Sequence, residues 1–502
     1  MALQVDQLRW MADTLGNEVA YVNLGTGEEI TFAEWDAESN RLARGLSRAG
    51  ITAGDRVALH LEGEHLLRWI TAYAAIHKAG AVAVPTNVRL TGRELAAILS
   101  HAAPVAAITS TALEPVLTAA VADGAPVQFL LTANDEGAWS AALDADDSPF
   151  QVSLDDGDLA DIMYTSGTTG LPKGIAVRHR DTHLIPNGEP PWSGAAWIHS
   201  SPLSSFAGIT FVYNPMKMGM RGSYLARFDV DAWLDAVEQR RPTCAFLVPA
   251  MAQLLVTHER WDTADLTSLT LVSIGSAPLA PTIHRAVVER LPQATVTNNY
   301  SMTEAGSAFT FMPPGALDTH EGSVGMVMHP TEIRIAAADG EPLPPGEVGE
   351  VLMKVGMLHR EYYRDPEATS RTWSGEWLRS GDLGMLDEDG YLYIKGRQKD
   401  IVIRGGNNIA ATEVENVLYE HEGVLEAAVV GVPHAVLGED VGAFVVTRPG
   451  HAPTREDLQS FCAERLADYK VPRQVWFLDA LPRNATGKVV KASLAVPQEE
   501  AT

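Results

Sequence analysis

The window Tyr164-Thr-Ser-Gly-Thr-Thr-Gly-Leu-Pro-Lys-Gly174 lies between two apolar runs, Leu159 to Tyr164 and Gly174 to Val177. Gly167 and Gly170 let backbone N–H groups converge, the hydroxyls of Thr165, Ser166, Thr168 and Thr169 add donors, and Lys173 adds a positive charge. Donors of this kind on a loop between strands suit a polyphosphate. A Walker A loop needs a glycine, four residues and then Gly-Lys-Ser/Thr, whereas Lys173 here follows a proline, so the loop is of another kind. Ser/Thr-rich surface turns draw on the same residue types, and only the full run points to phosphate.

The elements around this loop read as α/β layers. A short apolar run, Val57 to Leu61, precedes Leu66, Trp69, Ile70, Tyr73 and Ile76 at helical spacing, and a further run, Ala81 to Val84, stops at Pro85. Strand-like runs return at Pro104 to Thr109, Ala245 to Val248 and Leu271 to Ile274, which predicts a largely parallel sheet. Around Gly396 the texture changes: a β-rich segment, Gly390 to Ile394, ends in Gly396-Arg-Gln-Lys-Asp400, and a smaller α+β unit follows. Within it Thr412-Glu-Val-Glu415 reads as a capping box ahead of Val414, Val417 and Leu418.

Composition narrows the function. The 502 residues suffice for several lobes with a large core. With 38 Lys+Arg against 64 Asp+Glu, the formal net charge of −26 opposes general binding to nucleic acid or anionic lipid. Arg68, His77 and Lys78 interrupt the apolar stretch from Leu66 to Val84, so no segment reaches the roughly 18 uncharged residues of a spanning helix. Asp6 breaks the place where an export signal would have its apolar core, and a cytoplasmic setting is expected. Cys244 and Cys462 are far apart; Cys462 lies among Leu458, Phe461 and Leu466 and reads as a buried thiol. His179 and His183 are four apart with no third ligand nearby, and Met216, Met218 and Met220 read as packing residues.

Further windows follow the loop in order: Gly275-Ser-Ala-Pro-Leu279, Tyr300-Ser-Met-Thr-Glu304, Gly346-Glu-Val-Gly-Glu350, Trp377-Leu-Arg-Ser-Gly-Asp382, Gly396-Arg-Gln-Lys-Asp400 and Asn484-Ala-Thr-Gly-Lys488. With the Ser/Thr/Gly-rich loop they make the chain resemble, over nearly its whole length, the adenylate-forming superfamily of acyl-CoA synthetases, peptide-synthetase adenylation domains and luciferases, in its acyl-CoA synthetase branch. The resemblance implies a large N-terminal domain of layered α/β subdomains, residues 1–396, a hinge at 397–400, and a small mobile α+β lid at 401–502 that carries the catalytic lysine. It also implies ATP, Mg²⁺ and CoA as co-substrates or cofactors.

Joining a carboxylate to the α-phosphate of ATP brings two anions together, so the site must supply positive charge more than a base. The resemblance gives that part to Lys488. It makes Glu304 the Mg²⁺ ligand and Thr303 a donor to the α-phosphate; Glu304 and Thr303 also suit a helix cap. Asp382 corresponds to the carboxylate that accepts from both ribose hydroxyls, although Gly-Asp is common in turns, and Arg397 to the arginine that contacts the nucleotide. Tyr300, flanked by Asn299 and Ser301, would stack on adenine, with Gly275, Ser276 and Ala277 close to the base and acyl group. Lys399 falls at the hinge pivot, and Gly405 and Gly406 at the pantetheine channel, where a Cβ would narrow a passage built from backbone.

The chain departs from the family pattern in places. Ser205 stands where the acyl-CoA branch often has histidine, Ser301 replaces a common glycine, and Ala411 replaces the usual proline. No acid lies in the Ser204-Ser-Phe206 window, where an amino-acid adenylation domain would hold the substrate ammonium. The residues assigned to the acyl pocket, Trp197, Ser205, Phe206, Ile209 and Met216, are mostly apolar, which favours an apolar fatty or bulky polycyclic acid of terpenoid or steroid type. The expected activity is an ATP-dependent carboxylic acid:CoA ligase. The alternatives are an adenylating enzyme that passes its product to a carrier protein or partner ligase, and a catalytically silent nucleotide or acyl-CoA binding protein.

Overall fold

The computed structural model describes residues 3–122, 124, 126–165, 173–184, 187–307, 310–313, 315–356, 358–483 and 488–494. Ser166, Gly167, Thr168, Thr169 and Gly170 therefore lie outside the described residues. The chain divides into two compact units: Met1–Leu247 with Thr263–Val272 and Leu358–Arg371, and Val248–Asp262 with Ser273–Met357 and Thr372–Thr502.

In the first unit a six-stranded sheet runs in the order Phe129–Thr132, Ala106–Thr109, Arg56–His60, Val82–Pro85, Leu159–Thr165 and Lys173–Arg178. All neighbours are parallel except the last pair, which flanks the candidate phosphate loop. The helix Leu66–Lys78 connects two of these strands and is buried along most of its length, with Thr71, His77 and Lys78 buried among its apolar residues. A second group of strands, Cys244–Leu247, Ala196–His199, Arg221–Tyr224 and Val19–Asn23, is parallel, and Glu29–Thr31 closes it antiparallel. The expected strand, helix, strand alternation is present here.

The second unit departs from a parallel plan. Its larger sheet, ordered Thr310–Phe311, Gly325–Val327, Tyr391–Arg397, Trp377–Leu386, Gly349–Val355 and Thr331–Ala336, is antiparallel throughout. Short turns such as the one closed by Gly390 N–H to Asp387 O leave no room for the crossover that parallel strands need. Strands up to Arg397 belong to this sheet. From Ile401 onward a different sheet begins, ordered Asn407–Ala410, Ile401–Arg404, Gly438–Thr447 and Val424–His434, with Gln474–Phe477 parallel to Gly438–Thr447. Only the single turn Gln398–Asp400 separates the two sheets.

Helix Ala411–Tyr419 covers the later sheet, and Val414, Leu418, Leu458 and Cys462 fill the core beneath it. Its start corrects the expected capping box. The N-cap is Ala410 with no side-chain cap, and Thr412 already lies inside the helix. Glu415 is drawn elsewhere: its Oε1 accepts from Val429 N–H at 2.8 Å and pairs with Lys491 Nζ at 2.7 Å. Both cysteines are free and buried.

Candidate active site

Asp382 is the centre of the second unit's polar constellation. It sits in the strand Trp377–Leu386, directly across from Arg397 in the register of the neighbouring strand, and is only 4% exposed. Arg397 Nε lies 3.0 Å from Asp382 Oδ1, and the Tyr300 hydroxyl donates to Oδ2 at 2.6 Å. A buried carboxylate is stable when it is paired in this way. Burial and the Asp382 charge push the Tyr300 phenol well above its ordinary range, so it stays protonated and remains a donor.

The turn before Asp382 is held from behind. Asp382 N–H donates to Ser380 Oγ at 3.0 Å, and Ser380 Oγ donates to Val351 O at 2.6 Å. Glu350, also buried, accepts from Gly381 N–H at 3.3 Å and from Arg379 Nη2 at 2.6 Å. Glu350 ends the Gly346-Glu-Val-Gly-Glu350 motif, whose spacing alone assigns it no role. Its role is to fix the Ser-Gly-Asp turn.

Lys488 belongs to the same constellation. Burial and the Arg397 guanidinium pull its pKa below the ordinary lysine range, while Asp382 and Glu304 oppose the shift. An ammonium within electrostatic reach of two carboxylates and one guanidinium is half-buried and poised for anionic oxygens. Thr303 and Glu304 occupy the turn between the short antiparallel strands Ser301–Met302 and Gly306–Ser307, not a helix cap. Their hydroxyl and carboxylate oxygens are hard donors of the kind Mg²⁺ takes.

Asn299 ends the strand Thr295–Asn299, and its amide donates to Ser273 Oγ. Gly275 closes the strand Leu271–Gly275, and Ser276 follows with φ +73°, a left-handed backbone for a residue with a Cβ. Strain of this kind, of order 1–3 kcal/mol, persists where a site over-determines the backbone. Ala277 is half-buried beside it. Tyr300 packs its ring against Val324, Ile335, Val351 and Leu392.

Lys399 is exposed in the turn between the two sheets. Gly405 and Gly406 form the two-residue turn between Ile401–Arg404 and Asn407–Ala410, with φ +55° and +85°. A hairpin of this length needs positive φ at both central positions, so the Gly-Gly pair has a backbone reason of its own.

In the first unit, Thr165 pairs with Lys173 in the sheet register, and Lys173 Nζ lies over the Tyr362 ring at 5.0 Å. Of the residues assigned to the acyl pocket, Ile209 and Met216 share one core cluster, with Phe206 packed against it. Met216 is fully buried and acts as packing. Trp197 belongs to a separate cluster with Met218, Met220 and Cys244, although its ring also meets Phe211 at 5.2 Å. Ser205 caps the helix Phe206–Met218, accepting from Gly208 N–H at 3.1 Å and donating to Pro202 O at 2.7 Å.

Residues 8–363 match the model of the AMP-binding enzyme family, and residues 413–488 match that of the AMP-binding enzyme C-terminal domain. The chain belongs to the AMP-binding enzyme family. This is the adenylate-forming superfamily that its motifs resemble. It is 36% identical to a feruloyl-CoA synthase of an Amycolatopsis species, over 93% of this chain and 94% of that one. It is 33% identical to the fatty acid–[acyl-carrier-protein] ligase ScoC of Streptomyces coeruleorubidus, over 93% of this chain and 91% of the relative. Among solved structures, the anthranilate CoA ligase AuaEII in complex with anthranoyl-AMP superposes with a TM-score of 0.88 at 25% identity, covering 97% of this chain and 95% of that one. Among the described residues no helix is long and apolar enough to cross a membrane.

Proposed function

We propose that this family member is an ATP-dependent carboxylic acid:CoA ligase acting in the cytoplasm. The observation that carries the reading is the buried Asp382 held by Arg397 and Tyr300, with the half-buried Lys488 lowered in pKa by burial and Arg397 against the pull of Asp382 and Glu304. A silent binder has no use for a desolvated ammonium among these groups.

In the first half-reaction a carboxylate oxygen attacks the α-phosphorus of ATP, the bond to the β-phosphate oxygen breaks, and pyrophosphate leaves. Lys488 neutralises the carboxylate and α-phosphate oxygens as charge builds between them. Thr303 donates to the α-phosphate, and Glu304 would hold Mg²⁺, which would supply charge to offset that of the phosphates. The loop from Thr165 to Lys173 takes the polyphosphate. Asp382 receives the ribose hydroxyls; an ionised carboxylate offers about four lone-pair sites, so the Tyr300 and Arg397 contacts leave capacity for them. Tyr300 and the Gly275-Ser276-Ala277 segment face adenine and the acyl group.

In the second half-reaction the CoA sulfur, its proton released to solvent, attacks the acyl carbonyl and AMP departs. The lid, 401–502, turns about Lys399 in the hinge 397–400 and brings Gly405 and Gly406 to the pantetheine. The separation of the two sheets by one turn supports a hinge there. The acid is apolar, fatty or polycyclic, as the aromatic and aliphatic residues around Phe206 and Ile209 suggest. The name of the relative ScoC supports a second reading, transfer of the acyl group to a carrier protein.

The test is pyrophosphate release with a panel of fatty, aryl and polycyclic acids, with CoA or holo-carrier protein, following products by mass spectrometry. Acyl-CoA accumulation supports the ligase. Acyl-AMP without CoA consumption, but with carrier loading, supports the second reading.

A further inference from the structure

The residues just beyond Lys488 are fastened to the later sheet and its helix. Val490 N–H donates to Pro482 O at 2.8 Å, Arg483 and Val489 are bridged antiparallel, and upstream Arg483 pairs with Glu426 at 2.7 Å. Val489 and Leu494 pack against Phe444, Trp476 and Leu481. Apolar packing of this kind holds a segment without giving it direction. At Lys491, which opens the single turn Lys491–Ser493, the hold is polar: Nζ lies 2.7 Å from Glu415 Oε1.

Glu415 is itself fixed. It is buried in the helix Ala411–Tyr419, and the same Oε1 accepts from Val429 N–H at 2.8 Å. Three residues earlier and on the same helix face, Thr412 lies against the strand that carries Arg397, where a Cβ at Gly396 would stand 3.3 Å from Thr412 Oγ1. The helix therefore meets the strand of Arg397 through one residue and the segment of Lys488 through another. Lys491 is three residues from Lys488, at most about 11 Å of extended chain. An anchor this close restricts where the ammonium can go.

We propose that Glu415 and Lys491 are positioning residues for adenylate formation: their ion pair fastens the segment that carries Lys488 to the helix Ala411–Tyr419 and so sets where the Lys488 ammonium stands relative to Asp382. This rests on the reading of Lys488 as the group that neutralises the reacting anions. In that reading acyl transfer does not use Lys488, so it does not use the pair.

The test measures the half-reactions separately, with the panel acid that releases most pyrophosphate: pyrophosphate release from acid and ATP, and acyl-CoA formation from the supplied acyl-AMP and CoA. The proteins are the full chain, Lys491→Met, Lys491→Arg, Glu415→Gln and the double variant Glu415→Gln/Lys491→Met, each with its thermal unfolding. Lys491→Met is expected to slow pyrophosphate release about 10- to 100-fold at saturating ATP and acid, the cost of a misplaced catalytic group, with acyl transfer changed less than about threefold. Lys491→Arg, which keeps a cation for Glu415, recovers most of the rate. Glu415→Gln, which keeps an acceptor for Val429 N–H, slows release in the same direction. The double variant no longer buries an unpaired charge, so it unfolds nearer the original temperature than Lys491→Met, yet releases pyrophosphate as slowly. Unchanged release in Lys491→Met, equal loss in both half-reactions, or a rate that returns with stability in the double variant overturns the proposal and leaves the ligase reading standing. If no acid gives pyrophosphate with the unaltered chain, or Lys488→Ala releases it at the full rate, the ligase reading itself fails and takes the proposal with it.

Discussion

The Tyr300 hydroxyl donates to Asp382 Oδ2 at 2.6 Å, and this contact closes a buried carboxylate whose other oxygen is held by Arg397. The pair links two motifs that stand 82 positions apart in sequence. It fixes the orientation of the carboxylate, so that in the proposed function the ribose hydroxyls would meet a preset acceptor.

Tyr300→Phe therefore removes more than a ring substituent. It leaves one oxygen of a buried, charged carboxylate without its donor, a loss of about 1.5–3 kcal/mol for a hydrogen bond to a charged group. The KM for ATP should rise by about 10- to 100-fold, while the KM for the acid stays near its original value. Steady-state kinetics with each substrate varied in turn checks this. An unchanged KM for ATP would show that Asp382 does not depend on the phenol.

Burial and Arg397 lower the Lys488 pKa, and in the proposed reaction its charged form is the one that neutralises the reacting anions. As pH rises, a depressed lysine loses its proton earlier than an ordinary one, so the alkaline limb of the adenylation rate should fall below the ordinary lysine range near 10.4. Arg397→Gln removes the like charge that lowers the pKa and leaves Asp382 to raise it, so the limb should move to higher pH. Pyrophosphate release measured across the alkaline range, in both proteins, gives the sign. A shift to lower pH would contradict the assignment.

Gly406 separates two roles. Its φ of +85° strains any L side chain, and no atom lies within 4 Å of a Cβ built there. Gly406→Ala should destabilise the hairpin by about 1–2 kcal/mol. Gly406→Asn, whose side chain tolerates the left-handed region, should recover most of that stability while keeping a Cβ. If the channel assignment holds, the Asn variant unfolds near the original temperature, forms acyl-AMP normally and transfers to CoA slowly. Normal transfer would reduce Gly406 to a turn residue.

Much of the architecture was legible locally. The runs Val57 to Leu61 and Ala81 to Val84, with the apolar helix between them, carry their own periodicity and became Arg56–His60, Leu66–Lys78 and Val82–Pro85. Asp382 and Arg397 were legible from their motifs, and the strand register brings them together. What was hidden depends on partners far away in sequence. Thr412 and Glu415 have capping-box spacing, but Val429 and Lys491 claim the glutamate. The Gly405-Gly406 pair advertises its missing side chains in the sequence, whereas the hairpin shows a demand on φ as well.

We propose that Lys488 serves adenylate formation and not the transfer of the acyl group. The direct measurement separates the half-reactions in Lys488→Ala: pyrophosphate release from acid and ATP, and acyl-CoA formation from supplied acyl-AMP and CoA. The first is expected to fall about 10²- to 10³-fold, some 3–4 kcal/mol of transition-state stabilisation, with the second changed less than about threefold. Equal losses in both half-reactions, or no loss in the first, would contradict it.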